Sequence, residues 1–156
     1  MKASELMTGD YARVNRTGLP FKKGAVVQVL SIDSTGSLVN YNLKGVAGCK
    51  VVSDDDGYEG GIWLQYLDPI PLTAEILKEN GFKIAGPTDA PHLQSYVLAG
   101  DYEDVYAEEI NDGTWRIDVN CTEFNLPVQT AMVGHVHQLQ NWLRFCGTEL
   151  EITISI

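Results

Sequence analysis

The sequence predicts an α+β protein in two parts: a small SH3-like β-barrel over residues 1–68, then an α+β half over residues 69–156 with an antiparallel sheet and one long packed helix. Three observations predict it. The first part holds short β-branched and apolar runs punctuated by turn residues about every eight to twelve positions, the rhythm of a small barrel or sandwich. Asp68-Pro-Ile-Pro-Leu72 then interrupts the chain. Its two prolines fix extended backbone and offer no N–H donors, so the stretch reads as a hinge. Beyond it, apolar residues at Met132, Val136, Leu139, Leu143 and Cys146 repeat with the four-then-three spacing of a helix face.

In the first part, residues 3–8 read as a helical turn anchored by Leu6 and Met7. Residues 11–16 read as a strand, with Tyr11 and Arg13 on one face and Ala12 and Val14 on the other. Thr17-Gly-Leu-Pro20 turns the chain into the β-branched strand 25–32. Ser34-Thr-Gly-Ser37 turns it again into 38–43, whose alternation buries Val39, Tyr41 and Leu43 or their opposites. A short strand at 49–52, a solvated loop at Asp54–Gly57 and a closing run at 61–67 complete this part. Asp54, Asp55 and Asp56 lack the alternating acids and terminal glutamate of a calcium loop.

In the second part, Thr73 caps a short helix over 74–80. Leu72 staples onto Leu77, Glu75 suits the first turn, and Gly81 with Phe82 closes the end. Strands follow at about 94–99, 104–110, 114–120 and 128–132. Asp112-Gly113 is a two-residue hairpin loop, because both positions favour positive φ. That loop sets Ile110 opposite Trp115, Tyr106 opposite Val119 and Glu109 opposite Arg116. The long helix covers 134–146, with Gly134 at its start, Arg144 against its carbonyl end and Gly147 as its stop. Residues 149–155 alternate as a last strand, with Leu150, Ile152 and Ile154 inward.

Charge is unevenly spread. The 156 residues carry a net −10. Residues 1–68 hold seven Lys/Arg against eight Asp/Glu, and residues 69–156 hold four against thirteen. The second part therefore repels a polyanion and attracts a basic partner, whereas the first admits a polyanion locally. Cys49, Cys121 and Cys146 are widely spaced and form no CxxC pair, which fits a reducing compartment. No apolar run follows Met1-Lys-Ala-Ser-Glu5, and none approaches the roughly 18 residues of a membrane span. The expectation is a cytoplasmic protein that does not engage a membrane.

Three segments carry a family resemblance. They are Met1-Lys-Ala-Ser-Glu-Leu6 with Gly9-Asp10-Tyr11; Pro69-Ile-Pro-Leu-Thr73 with Glu75-Ile-Leu77 and Asn80-Gly-Phe82; and Val136-His-Gln-Leu-Gln-Asn141 followed by Gly147 and Glu149-Leu-Glu-Ile152. Together they resemble a group of small uncharacterised proteins from Bacteroides-type gut bacteria and their phages and mobile elements. The resemblance implies a cytoplasmic setting and an accessory role in phage or mobile-element biology. It brings no known activity and so no catalytic residue. The chain departs from the pattern at Trp142–Gly147, where its helix is shorter.

The expected function is a non-catalytic protein-interaction module with a basic protein partner. No G-x-S-x-G, phosphate loop or H-E-x-x-H is present, so no catalytic residue and no cofactor is predicted. The alternative is nucleic-acid binding by the first part, through Tyr11, Arg13, Arg16, Lys22 and Lys23, with Phe21 interleaved for stacking. A metal-dependent enzyme is the third reading. Its candidates are His135 and His137, with His92 as a third histidine. Residues two apart on a helix point about 200° apart and cannot share an ion. His135 is therefore expected at the core edge or helix cap, and His137 at the surface.

Overall fold

The structure, a computed structural model, describes residues 5–33, 47–85, 95–100, 103–121, 128–148 and 150–154. It divides into two compact units between Ile70 and Pro71. Each unit contains one five-stranded antiparallel sheet.

In the first unit, β1 (Tyr11–Val14), β2 (Val26–Asp33), β3 (Gly48–Ser53) and β4 (Glu59–Trp63) form a meander, and β5 (Leu67–Pro69) returns beside β1. Its core is fully buried aliphatic side chains such as Val14, Val27, Val51, Ile62 and Leu67. The ladder between β2 and β3 slips between Val29 and Ser31, a bulge that bends β2. The run 61–67 is not one strand. A 3-10 turn at Leu64–Tyr66 breaks it, with the Leu67 N–H closing onto the Leu64 carbonyl. The sheet is open, and a closed SH3-like barrel is not seen among the described residues. The edge strand β5 has three residues and ends at Pro69, which has no N–H to extend a ladder. Of the expected anchor pair, Leu6 is buried and Met7 is half exposed. The strand expected at 38–43 lies outside the described residues.

In the second unit, α1 (Ala74–Glu79) starts at Thr73, whose hydroxyl accepts the Ile76 N–H at 3.4 Å. The α1 end closes through Gly81 at φ 85° and a Phe82 N–H bond to the Leu77 carbonyl at 3.0 Å. The Glu75 carboxyl is held below its usual range by its own backbone N–H and by the Thr73 hydroxyl. The sheet runs β10 (Gln129–Val133), β9 (Thr114–Cys121), β8 (Glu103–Asn111), β7 (Ser95–Ala99), β6 (Lys83–Ile84). On its inner face, Tyr96, Trp115, Ile117 and Val119 are buried. Helix α2 (Val136–Cys146) lies against β9 and β10 with Val136, Leu139 and Leu143 fully buried. Gly147 at φ 76° ends it, as its missing Cβ permits. The Trp115 indole donates to the Leu72 carbonyl at 3.1 Å, and the Leu72 N–H bonds Gly134 O at 3.0 Å. Those two bonds tie the start of this unit to its sheet.

Two expectations need correction here. Residues 150–154 form no ladder. Their burial alternates, with Ile152 and Ile154 inside, but side chains hold their backbone. The Asn80 amide donates to the Thr153 carbonyl at 2.7 Å and accepts the Thr153 N–H at 2.7 Å, and Gln140 donates to the Ile152 carbonyl at 3.1 Å. The hairpin register also differs. Asn111 faces Thr114 across the expected two-residue loop, but the ladder then slips at Ile110. Beyond the slip, Glu109 faces Trp115, Glu108 faces Arg116 and Tyr106 faces Asp118. A one-residue slip exchanges the two faces of a strand.

Candidate functional site

The first unit does not assemble the expected cationic and aromatic residues into one surface. Tyr11 is 9% exposed and Phe21 4%, so both rings belong to the core. Arg13 is exposed on β1, but Asp68 stands next to it in the ladder and accepts the Asn15 amide at 2.7 Å. The Arg16 guanidinium lies 4.4 Å from the Tyr66 ring centroid and donates to the Tyr66 hydroxyl, a cation–π contact within the unit. Lys22 and Lys23 are exposed in the turn before Gly24. The exposed ring next to them is one that sequence reasoning passed over. Tyr58, 48% exposed, meets Phe21 edge-on at 5.4 Å. Both rings lie over Gly60, where a Cβ would come within 3.1 Å of Tyr58 and 3.2 Å of Phe21. A glycine inside a strand marks such a close approach, and that was the available signal. Asp54, Asp55 and Asp56 sit exposed just before Tyr58, so the same corner also repels a polyanion.

The histidines are placed differently from expectation. His135 precedes α2 with extended backbone at φ −138°, so the helical 200° rule does not apply to the pair. The His135 and His137 rings stack with centroids 5.7 Å apart and planes at 23°. His137 is buried at 4%, not at the surface. His135 sits at the helix cap, where the Gln138 carbonyl oxygen accepts the N–H of Gly134 at 2.8 Å and of His135 at 3.1 Å. Among the described residues, no three His, Cys, Asp or Glu side chains gather as a metal-binding group. Zinc asks for three or four ligands. His92 lies outside the described residues. Burial raises the Cys49 thiol to about 12, and burial together with the Glu103 charge raises that of Cys146, so neither side chain has the lowered pKa of a reactive nucleophile.

The second unit offers the better-formed surface. The face of its sheet away from α2 is set by the hairpin slip. In one cross-strand row Lys83, Val97, Tyr106, Asp118 and Thr130 follow one another, and in the next Ser95, Glu108, Arg116 and Met132. Arg116 binds Glu108 at 2.5 Å and Asp118 at 3.2 Å, and Thr130 donates to Asp118 at 2.6 Å. Tyr106 is 39% exposed within this frame, with Asp104 two residues along on the same face. Placed opposite Val119, as the unslipped register has it, Tyr106 would face the core. The sequence gave no sign of the slip, so this face was missed. A second exposed ring, Phe145 at 76%, stacks on Trp142 at 5.3 Å on α2.

No helix among the described residues is long and apolar enough to cross a membrane. No known protein family matches the chain, and neither curated proteins nor solved structures contain a similar one.

Proposed function

We propose that the chain is a non-catalytic binding module that receives a basic protein partner on the open sheet face around Tyr106, and that it serves in the cytoplasm as an accessory protein of a phage or mobile element. The observation that carries the reading is Tyr106 itself, a half-exposed ring framed by Asp104, Glu108 and Asp118 on a sheet face. Aromatic anchors ringed by polar groups concentrate binding energy. The net −9 of residues 69–156 steers a cationic protein toward it. The first unit is read as SH3-like. Its supports are the strand order β4-β3-β2-β1-β5 and the 3-10 turn leading into β5. The test is affinity capture from host cells with the wild-type chain and with Tyr106→Ala plus Asp104→Lys. A basic protein retained by the wild type, shed by salt and lost with the variant is the expected result. Equal recovery by both chains refutes the site.

Nucleic acid is the second reading, and one observation favours it: the exposed Tyr58 ring beside Phe21, Lys22 and Lys23. It predicts salt-sensitive binding of single strands that Arg13→Glu with Lys22→Glu abolishes, read by fluorescence anisotropy. No retention of DNA or RNA at low salt ends it.

A further inference from the structure

The two sheets present four edge strands, and an exposed edge is a template for pairing unless charge or proline blunts it. Three are blunted. Strand β4 carries Glu59, which pairs with Lys50 at 2.5 Å. Strand β5 carries Asp68 and Pro69, and β6 is two residues long and carries Lys83. Strand β10, Gln129–Val133, has neither charge nor proline. It pairs with β9 on one side, and among the described residues no strand pairs with its other side. Met132 is 55% exposed on its outer face.

We propose that a second copy of this chain docks on β10, by antiparallel β10–β10 pairing about a two-fold axis through Ala131, which joins two five-stranded sheets into one of ten. Charge selects this register. On the outer face, β9 sets Arg116 beside Met132 and Asp118 beside Thr130. With the axis at Ala131, Met132 faces Thr130 of the second copy. Each row then runs Arg116, Met132, Thr130, Asp118, the last two from the second copy. A cation and an anion end every row, about 14 Å apart at the usual strand spacing. An axis at Thr130 would instead set Asp118 in line with the second copy's Asp118, and an axis at Met132 would set Arg116 in line with Arg116. Both alternatives put like charges in one row. All five residues of the strand pair only when the axis passes through Ala131.

The experiment is light scattering coupled to size exclusion at high micromolar concentration, with circular dichroism confirming the fold of each variant. The wild type is expected at twice the 17.2 kDa chain mass, falling toward it on dilution. Thr130→Glu with Met132→Glu sets like charges directly opposite across the axis, which opposes pairing. It is expected at the chain mass. Thr130→Lys with Met132→Glu touches the same two positions but sets opposite charges together, and is expected to dimerise in a salt-sensitive way. A wild type that stays monomeric at the highest concentration overturns the proposal. So does an equal mass for the two double variants. Neither result depends on the partner at Tyr106.

Discussion

Asn80 replaces a strand ladder with a single side chain, and its removal makes a sharp prediction. Its amide donates to the Ile76 carbonyl at 2.8 Å and the Thr153 carbonyl at 2.7 Å, while its carbonyl oxygen accepts the Thr153 N–H at 2.7 Å. Asn80→Ala deletes both bonds to residue 153 and leaves the alanine methyl in their place. A net intramolecular hydrogen bond is worth about 0.5–1.5 kcal/mol, so the pair contributes about 2 kcal/mol to holding the segment 150–154 down. Ile152 and Ile154 remain buried, so the segment loosens without losing its apolar anchor. Hydrogen exchange at the Thr153 amide reads this directly, because that N–H is one of the deleted bonds. Its protection is expected to fall about 30-fold, the equivalent of about 2 kcal/mol in local opening. Unchanged protection at Thr153 in the Asn80→Ala chain would refute the reasoning and assign the segment's order to isoleucine burial alone.

Two further outcomes follow from the same structure. Gln138→Ala removes the acceptor shared by the Gly134 and His135 N–H groups at the start of α2 and is expected to cost about 1 kcal/mol, while Gln138→Glu keeps the acceptor and adds a favourable charge there; the urea midpoint should fall for the first and hold for the second. The Cys49 thiol, raised from 9.0 to about 12 by burial, keeps its proton in the folded chain after the unfolded chain has lost it. Its stabilising contribution is therefore complete below pH 9 and lost between pH 9 and about 12, at up to about 1.4 kcal/mol per pH unit. Unfolding midpoints across that range should fall less steeply for Cys49→Ala than for the wild type.

Much of this architecture is written locally. The Thr73 cap, the Gly81 and Gly147 stops and the apolar face of α2 each depend on residues a turn or less apart, and each appears where the residue pattern puts it. What depends on distant partners is less legible. Alternation in Leu150–Ile154 specifies which side chains go inside, but not that Asn80 and Gln140, rather than another strand, satisfy the backbone. The hairpin loop is local and is as expected. The slip at Ile110 is not, because it is decided by which face of β8 fits under the α2 side of the sheet. Tyr106 depends on that slip, so the open face could not be read from residue order. His137 shows the same limit. Its place beside His135 follows from the helix starting at Val136 and not two residues earlier.

The three tryptophans have a practical consequence. Trp63 is buried in the first unit, and Trp115 and Trp142 belong to the second. Indole emission thus carries a separate label for each half of the chain. Trp115→Phe with Trp142→Phe leaves a spectrum that reports only the first sheet, and Trp63→Phe leaves one that reports only the second. A denaturant titration of the two variants resolves whether the halves melt as one cooperative block or in succession, without any added dye.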